Sequence, residues 1–312
     1  YMFKTLKDFS VINKRVLVRC DFNVPLDDKG NILEDFKIRK TLPTIKYLIE
    51  QKAKIILMSH LGEPGGKVVP ELSLDKIAEK LAGHLNCTIG KEDDCIGPEI
   101  ENETNKLEAG KVLLLENLRF HGEETENDPE FAKKLSFLGD IYVNDAFGVC
   151  HRDQASVTGV PKILPSCAGL LLIDEIETLN KVIKNPEKPM VAIIGGRKVE
   201  TKSKFIDKIS KTADFVILGG LIAKEVAEKN IQFQFPEKII IPKGELDALD
   251  INDESIKMFQ EKIATTKTII WNGPFGKFED EKYAKGTLAI AKAIIDSGAF
   301  SVVGGGETVE FL

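Results

Sequence analysis

The chain has 312 residues, 43% of them hydrophobic, and a formal net charge of −6 at pH 7. That length suits two packed domains, the apolar share excludes a disordered chain, and the acidic balance excludes nucleic-acid binding through a broad basic face. Five cysteines without a C-x-x-C spacing argue against a disulfide framework or zinc motif, so a cytoplasmic setting is expected, and with no apolar run near ~18 residues, no membrane partner.

In chain order, short runs rich in Val, Ile and Leu recur at Val16–Val18, Ile55–Met58, Val112–Leu115, Ile141–Val143, Val191–Ile194, Phe215–Leu218, Ile239–Ile241, Thr268–Trp271 and Phe300–Val303. They do not alternate polar with apolar, which predicts strands buried on both faces, as in parallel sheets. Helical patterns lie between them. Ser73–Leu85 carries one apolar stripe with Ser73 placed as N-cap, Asp128-Pro129 opens a helix with Pro at its first position, and Ser203–Ala213 has one apolar face. Ala168–Lys184 is a longer helical segment, followed by the breaker stretch Asn185-Pro186-Glu187-Lys188-Pro189. The polar stretches Lys91–Gly110 and His121–Asn127 read as solvated loops or helix ends.

Strands alternating with helices predict an α/β fold. The expected architecture is two Rossmann-like parallel-sheet lobes facing each other across a cleft and joined by a helix. Its boundaries fall at 1–168 for the first domain, 169–188 for the interdomain helix and linker, and 189–312 for the second domain.

In open parallel sheets, ligands bind beyond the carboxyl ends of the strands. In the first half those exits read Arg19-Cys20-Asp21-Phe22-Asn23, Ser59-His60-Leu61-Gly62, Glu116-Asn117-Leu118-Arg119 and Asn144-Asp145-Ala146-Phe147-Gly148, the last leading to His151-Arg152. Only six arginines occur among 43 basic residues, and four of them (Arg19, Arg119, Arg152, Arg197) sit on these exits or the following loops. A planar, bidentate grip on phosphate or carboxylate explains that placement, whereas lysine serves solubility. A single arginine could equally lock a loop through an acidic partner. Three in one half, beside His60 and His151, favour an anion site.

The second half has glycine-rich exits at Gly195-Gly196, Gly219-Gly220 and Gly304-Gly305-Gly306, plus Trp271-Asn272-Gly273-Pro274. Such turns let backbone N–H groups approach phosphate, with Lys198 and Lys202 as point charges. Neither a Walker P-loop nor the dinucleotide fingerprint is present, which sets aside a dehydrogenase-like reading. One half gripping a small anion and the other a nucleotide fits phosphoryl transfer with hinge closure.

The motifs Arg19-Cys-Asp-Phe-Asn-Val-Pro25, Leu42-Pro-Thr-Ile45, Ser59-His-Leu-Gly62, Glu116-Asn-Leu-Arg-Phe120, Asn144-Asp-Ala-Phe-Gly148 with His151-Arg152, Gly195-Gly-Arg-Lys-Val199, Trp271-Asn-Gly-Pro274 and Gly304-Gly-Gly-Glu-Thr308 run through almost the whole chain. In that order they resemble the phosphoglycerate kinase family. The resemblance implies reversible phosphoryl transfer between 1,3-bisphosphoglycerate and ADP, giving 3-phosphoglycerate and ATP, as a glycolytic monomer. It places Asp21, Asn23, His60, Arg119 and Arg152 at 3-phosphoglycerate positions, with Arg19, Lys37, Leu61, Gly62 and Glu63 completing the expected substrate set. Lys198 falls where the family has a lysine acting on the transferring phosphoryl group, with Lys37, Gly305 and Gly306 as further catalytic candidates. Gly196, Lys202, Gly219, Asn272, Pro274, Gly276, Gly304–Thr308 and the ribose-binding acid Glu279 form the implied nucleotide set, which also includes Lys198. Glu307 is the implied metal residue, meeting Mg2+ as Mg-ADP or Mg-ATP.

The chain departs from that pattern at several places. Lys37 and Glu63 stand where the family has arginines, Arg197 replaces a small residue, Leu221 a glycine and Glu307 an aspartate. The second half is short between Gly220 and Asp250, and the resemblance implies a further strand and a Ser-Thr-Gly-Gly-Gly-Ala loop after Leu312. A member of the family that binds nucleotide or phosphoglycerate with little turnover is therefore carried as the alternative to a working kinase.

Overall fold

The computed structural model describes residues 3–196, 199–246 and 248–312. Val16, Leu17 and Val18 are fully buried at the middle of β1 (Arg15–Arg19). Successive side chains along a strand point to opposite faces, and here both faces are covered. Val16 and Val18, with Ile55 and Leu57 of β2 (Lys54–Met58), pack with Ile38 and Ile45 of α1 (Phe36–Glu50) and with Ile77 and Leu81 of α2 (Asp75–Leu85). Leu17, Ile56 and Met58 pack on the other side.

The remaining elements of this half are β3 (Ile89–Lys91), α3 (Pro98–Lys106), β4 (Val112–Leu114), α4 (Gly122–Thr125), α5 (Pro129–Ser136), β5 (Ile141–Asn144) and β6 (Ser166–Ala168). The six strands pair in parallel in the order β3-β4-β2-β1-β5-β6. Ile100 of α3 and Phe131 and Leu135 of α5 close the second face.

A long helix, α6 (Leu170–Lys184), carries the chain onward, and the division between the two compact units falls within it, between Ile176 and Glu177. The second unit contains β7 (Met190–Ile194), α7 (Val199–Ser210), β8 (Phe215–Leu218), α8 (Gly220–Glu228), β9 (Ile239–Ile240), α9 (Asp253–Ile263), β10 (Thr268–Asn272), α10 (Lys285–Ser297), β11 (Phe300–Gly304) and α11 (Gly306–Phe311). Its five parallel strands run β11-β10-β7-β8-β9. Val191 and Ile193 face a core shared with α9 and α10, while Met190, Ala192 and Ile194 face Ile206 of α7 and Ile222 of α8.

The two-unit parallel α/β class is as the apolar runs predicted. Four local readings change. The edge strands β3 and β6 carry no long apolar run. The stretch 91–110 contains the helix α3, and 121–127 contains α4, whose Glu124 is fully buried rather than solvated. The second helix begins at Asp75 with Leu74 at the N-cap position, one residue later than expected, while Ser73 Oγ accepts from Asp75 N at 3.3 Å and donates to Glu116 Oε2 at 2.8 Å. The helix expected from Ser203 already starts at Val199.

Candidate active site

In the first sheet β1 lies between β2 and β5, from which the chain winds outward in opposite directions. The crevice beyond the carboxyl ends at such a switch point is where open α/β sheets bind ligands. Arg19 is in register with Met58 and Asn144, so the three following loops begin at one level.

Those loops interlock through named bonds. Ser59 Oγ accepts from Phe22 N at 2.9 Å, and Asn23 Oδ1 accepts from Gly62 N at 2.8 Å. Asn117 Nδ2 donates to Leu61 O at 2.8 Å and Leu72 O at 2.9 Å, while its Oδ1 accepts from Leu61 N and Arg119 N. Leu61 itself is 2% exposed and packs in the core, so only its backbone belongs to the loop scaffold. Gly62 adopts φ +64°, a conformation that favours glycine, and a Cβ there would meet Leu72 at 2.9 Å.

The arginines divide into two kinds. Arg19 is fully buried: Nε donates to Ser156 Oγ at 2.7 Å, Nη1 donates to Cys20 O, Nη2 lies 3.2 Å from His60 Nδ1, and Glu124 Oε1 is 3.9 Å away. Glu124 in turn accepts from Ser156 N at 2.9 Å and from its hydroxyl. With its donors spent inside, Arg19 braces His60 instead of facing a ligand.

Arg119 is 2% exposed, yet only Nη1 is engaged, donating to Gly62 O at 2.8 Å and Glu63 Oε1 at 2.6 Å. Its Nε and Nη2 are buried without a hydrogen-bond partner among the described residues. Arg152 Nη1 lies 3.7 Å from the same Glu63 oxygen. Lys37, on the first turn of α1, places Nζ 3.1 Å from Asp21 Oδ2. Arg39, two residues on, is turned to Asp35 at 2.7 Å and Glu34 at 3.5 Å.

His60 is 1% exposed. Burial, then Arg19, Arg119, Arg152 and Lys37, push its imidazolium far below the ordinary histidine range. It is neutral, and because an arginine only donates, Nδ1 must accept from Arg19, leaving the proton on Nε2. The four cations acting on one imidazole also show that these separated loops converge.

In the second unit β7 lies between β8 and β10. Asn272 is in register with Ile194 and Gly304, and Ile194 with Leu218, which brings three glycine exits together. Gly195 N donates to Asn272 O at 2.9 Å and Gly196 N to Pro274 O at 2.8 Å. These two amides, expected to cradle phosphate, instead tie the loops to each other. Gly273, at φ +94°, would place a Cβ 2.3 Å from Gly195 O, so two backbones meet where no side chain fits. Thr308 Oγ1 accepts from Gly273 N at 2.7 Å and anchors the start of α11 to the same loop. Asn272 Nδ2 lies against Gly304 and Gly305.

Lys202 Nζ donates to Gly195 O. Burial lowers its pKa while nearby Glu307 opposes the shift. A small cavity of about 60 Å³ brings together Gly196, Pro274, Gly276, Glu279 and Glu307, walled by Leu221, Leu249, Phe275 and Phe278. Gly219, at the N-cap of α8, donates to Ile194 O at 2.8 Å and is not on that lining. Lys198 and Arg197 lie outside the described residues.

Asn117, Ser59, Ser156 and Glu124 organise the first site and had no assigned role from sequence. Asn117 stood inside a strand-exit motif, which was the available signal. Glu124 stood in a stretch whose polarity hid it.

Two parallel α/β units, one bringing arginines and a neutral histidine together at strand ends and the other framing a cavity with glycines, define a two-unit parallel α/β protein with a candidate site in each unit. The phosphoglycerate kinase family model matches residues 6–233 and 224–312. A phosphoglycerate kinase of Moorella thermoacetica is 42% identical over 98% of this chain and 89% of its own length. The chloroplastic phosphoglycerate kinase 1 of Arabidopsis thaliana is 43% identical over 95% and 72%. Among solved structures, the phosphoglycerate kinase of Pyrococcus horikoshii OT3 superposes with a TM-score of 0.85 at 32% identity, covering 99% of this chain and 90% of that one. That of Coxiella burnetii gives 0.80 at 34%, with the same coverage. The chain belongs to the phosphoglycerate kinase family, a family of phosphotransferases.

Proposed function

We propose that the protein catalyses reversible phosphoryl transfer between 1,3-bisphosphoglycerate and ADP, giving 3-phosphoglycerate and ATP. The observation that carries this reading is the pair of buried donors on Arg119, without partners among the described residues, beside neutral His60. Nε and Nη2 form the parallel fork of a guanidinium, which matches two oxygens of a phosphate or carboxylate. His60 offers its Nε2–H as a neutral donor, and Arg152 adds a second cation. Asp21 and Asn23 set the loop in which the substrate's hydroxyl and carboxylate would be held.

The nucleotide reading rests on the second-unit cavity. Its apolar walls suit a purine face, and Glu279 would accept from ribose hydroxyls. Lys202 and Lys198 would neutralise phosphate charge, with Lys198 acting on the group in transit and Gly304, Gly305 and Gly306 allowing close backbone approach. Glu307, an exposed carboxylate on this cavity, fits Mg2+, which binds through one or two carboxylates plus nucleotide phosphates. The ion supplies charge neutralisation on those phosphates when bound. We further infer a cytoplasmic, glycolytic monomer without nucleic-acid or membrane partners. The five unpaired thiols favour a reducing compartment. No helix among the described residues is long and apolar enough to cross a membrane.

A coupled assay with 3-phosphoglycerate and Mg-ATP tests the proposal, with turnover at ordinary enzyme rates as the expected result. One observation favours a second reading, a binder with poor turnover: Lys37 and Arg119 already hold the internal carboxylates of Asp21 and Glu63. Ligand binding without detectable turnover, restored by Lys37→Arg, would establish that second reading instead.

A further inference from the structure

Glu63 follows Gly62 in a loop of three positive-φ glycines, Gly62, Gly65 and Gly66, and its side chain is 74% exposed. An exposed glutamate gains nothing from burial, yet this one reaches back onto a nearly buried guanidinium, 2.6 Å from Arg119 Nη1 and 3.7 Å from Arg152 Nη1. It leaves the Nε–Nη2 fork of Arg119 untouched. The two edges of one guanidinium are therefore used differently: one is held by the protein's own carboxylate, and the other keeps two buried donors unspent.

We propose that Glu63 is an affinity-setting counter-anion of the substrate site. It competes with the incoming substrate for Arg152 and repels it across Arg119, so that substrate binding requires this carboxylate to swing into water. The ligand's identity rests on the function proposed above; the competition itself rests on the two distances and the open fork. The opposite role, a brace that orients Arg119, predicts the opposite sign. A brace lost weakens binding, whereas a competing anion lost tightens it. The geometry favours competition, because Gly62 O already holds Arg119 Nη1 at 2.8 Å without help from Glu63.

The test is titration calorimetry of the full chain and its Glu63→Gln and Glu63→Ala variants, with 3-phosphoglycerate and, separately, with inorganic phosphate. Gln keeps the length and the acceptor oxygen; Ala removes both. Both variants are expected to bind 3-phosphoglycerate about tenfold tighter at low salt, since a like charge beside a bound anion is unfavourable. The gain is expected to shrink as salt screens an exposed charge. In turnover assays KM is expected to fall more than kcat changes. Weaker binding by Glu63→Ala, or equal affinities in all three proteins, overturns the proposal. Tighter phosphate binding in the variants with no binding of 3-phosphoglycerate by any of them would uphold the counter-anion and overturn the substrate assignment.

Discussion

Replacing Arg119 by methionine separates what this residue does for a ligand from what it does for the fold. The side chain is 2% exposed and forms bonds to Gly62 O and Glu63, but leaves Nε and Nη2 buried without partners among the described residues. Burial works against the charge, Glu63 supports it, and Arg152 and Arg19 oppose it. Each orphaned donor costs about 1–3 kcal/mol, and removing both offsets most of the loss of the bonds to Gly62 O and Glu63. Glu63, being exposed, is cheap to leave unpaired. Methionine fills a similar volume, so Arg119→Met is expected to change the unfolding free energy by no more than about 1 kcal/mol in either direction. Binding should behave differently. Two charge-assisted bonds of about 1.5–3 kcal/mol each predict a 3-phosphoglycerate dissociation constant raised by about 10² to 10⁴. Urea unfolding followed by circular dichroism, with the slope checked for constancy, reads the first quantity and calorimetry the second. A loss of stability beyond about 3 kcal/mol with unchanged affinity would refute the reasoning, because it would make Arg119 a brace like Arg19.

Three further perturbations test other parts of the scaffold. Arg19→Met strands Glu124, which is fully buried, and should destabilise the first unit by about 3–5 kcal/mol in urea unfolding, with part recovered when Glu124→Gln is added. Asp145 Oδ1 accepts from Leu171 N at 2.9 Å and Leu172 N at 3.2 Å, capping α6, while Oδ2 is buried without a partner among the described residues. Burial pushes its carboxyl up to about 6 against an unfolded value near 3.8, so the folded chain holds a proton that the unfolded chain releases. Stability from this group is therefore full below pH 3.8 and is lost as pH rises through 6, by up to about 3 kcal/mol. Asp145→Asn should flatten that part of a stability-versus-pH profile, and an unchanged slope would exclude Asp145 as its source. Gly273→Ala forces a Cβ to 2.3 Å from Gly195 O at φ +94°, and should cost more than about 2 kcal/mol and abolish nucleotide binding by the second unit, read by thermal melting with and without Mg-ADP.

The interior strands were legible because β1, β2 and β7 are buried on both faces and so carry uninterrupted apolar runs. The edge strand β3 was not. Its three residues are half-buried, and Gly90 lies so close to Leu113 that a Cβ there would meet Leu113 Cδ1 at 2.7 Å. Such a glycine reads as a turn in a sequence. α3 was hidden because Ile100 and Thr104 alone face inward from an otherwise acidic and polar nine-residue helix. At the site, the type of residue at each strand end was legible, but its direction was not. Arg19 and Arg119 both follow apolar runs; what turns the first inward is Ser156, 137 residues further along the chain, and the buried Glu124 beside it. Long-range partners of that kind leave no periodic trace.

The two charge departures, Lys37 and Glu63, become one physical statement once their partners are known. Lys37 is paired with Asp21 at 3.1 Å, and Arg119 and Arg152 both face Glu63, so these three cations already have carboxylate partners from the chain itself. Arg39 is committed to Asp35 and Glu34 and adds nothing to the site. The unspent attraction for an anion is then concentrated in the Nε–Nη2 fork of Arg119 and the Nε2–H of neutral His60, both nearly inaccessible to water. Buried donors act in a low dielectric and are weakly screened, whereas the exchange of the exposed Glu63 carboxylate for a substrate anion is strongly screened. Affinity for 3-phosphoglycerate should therefore respond to salt through Glu63 but depend for its existence on Arg119. On the proposed function, a site arranged this way would recognise the shape of its anion through two fixed donors and adjust how tightly it holds that anion through the charge at the rim.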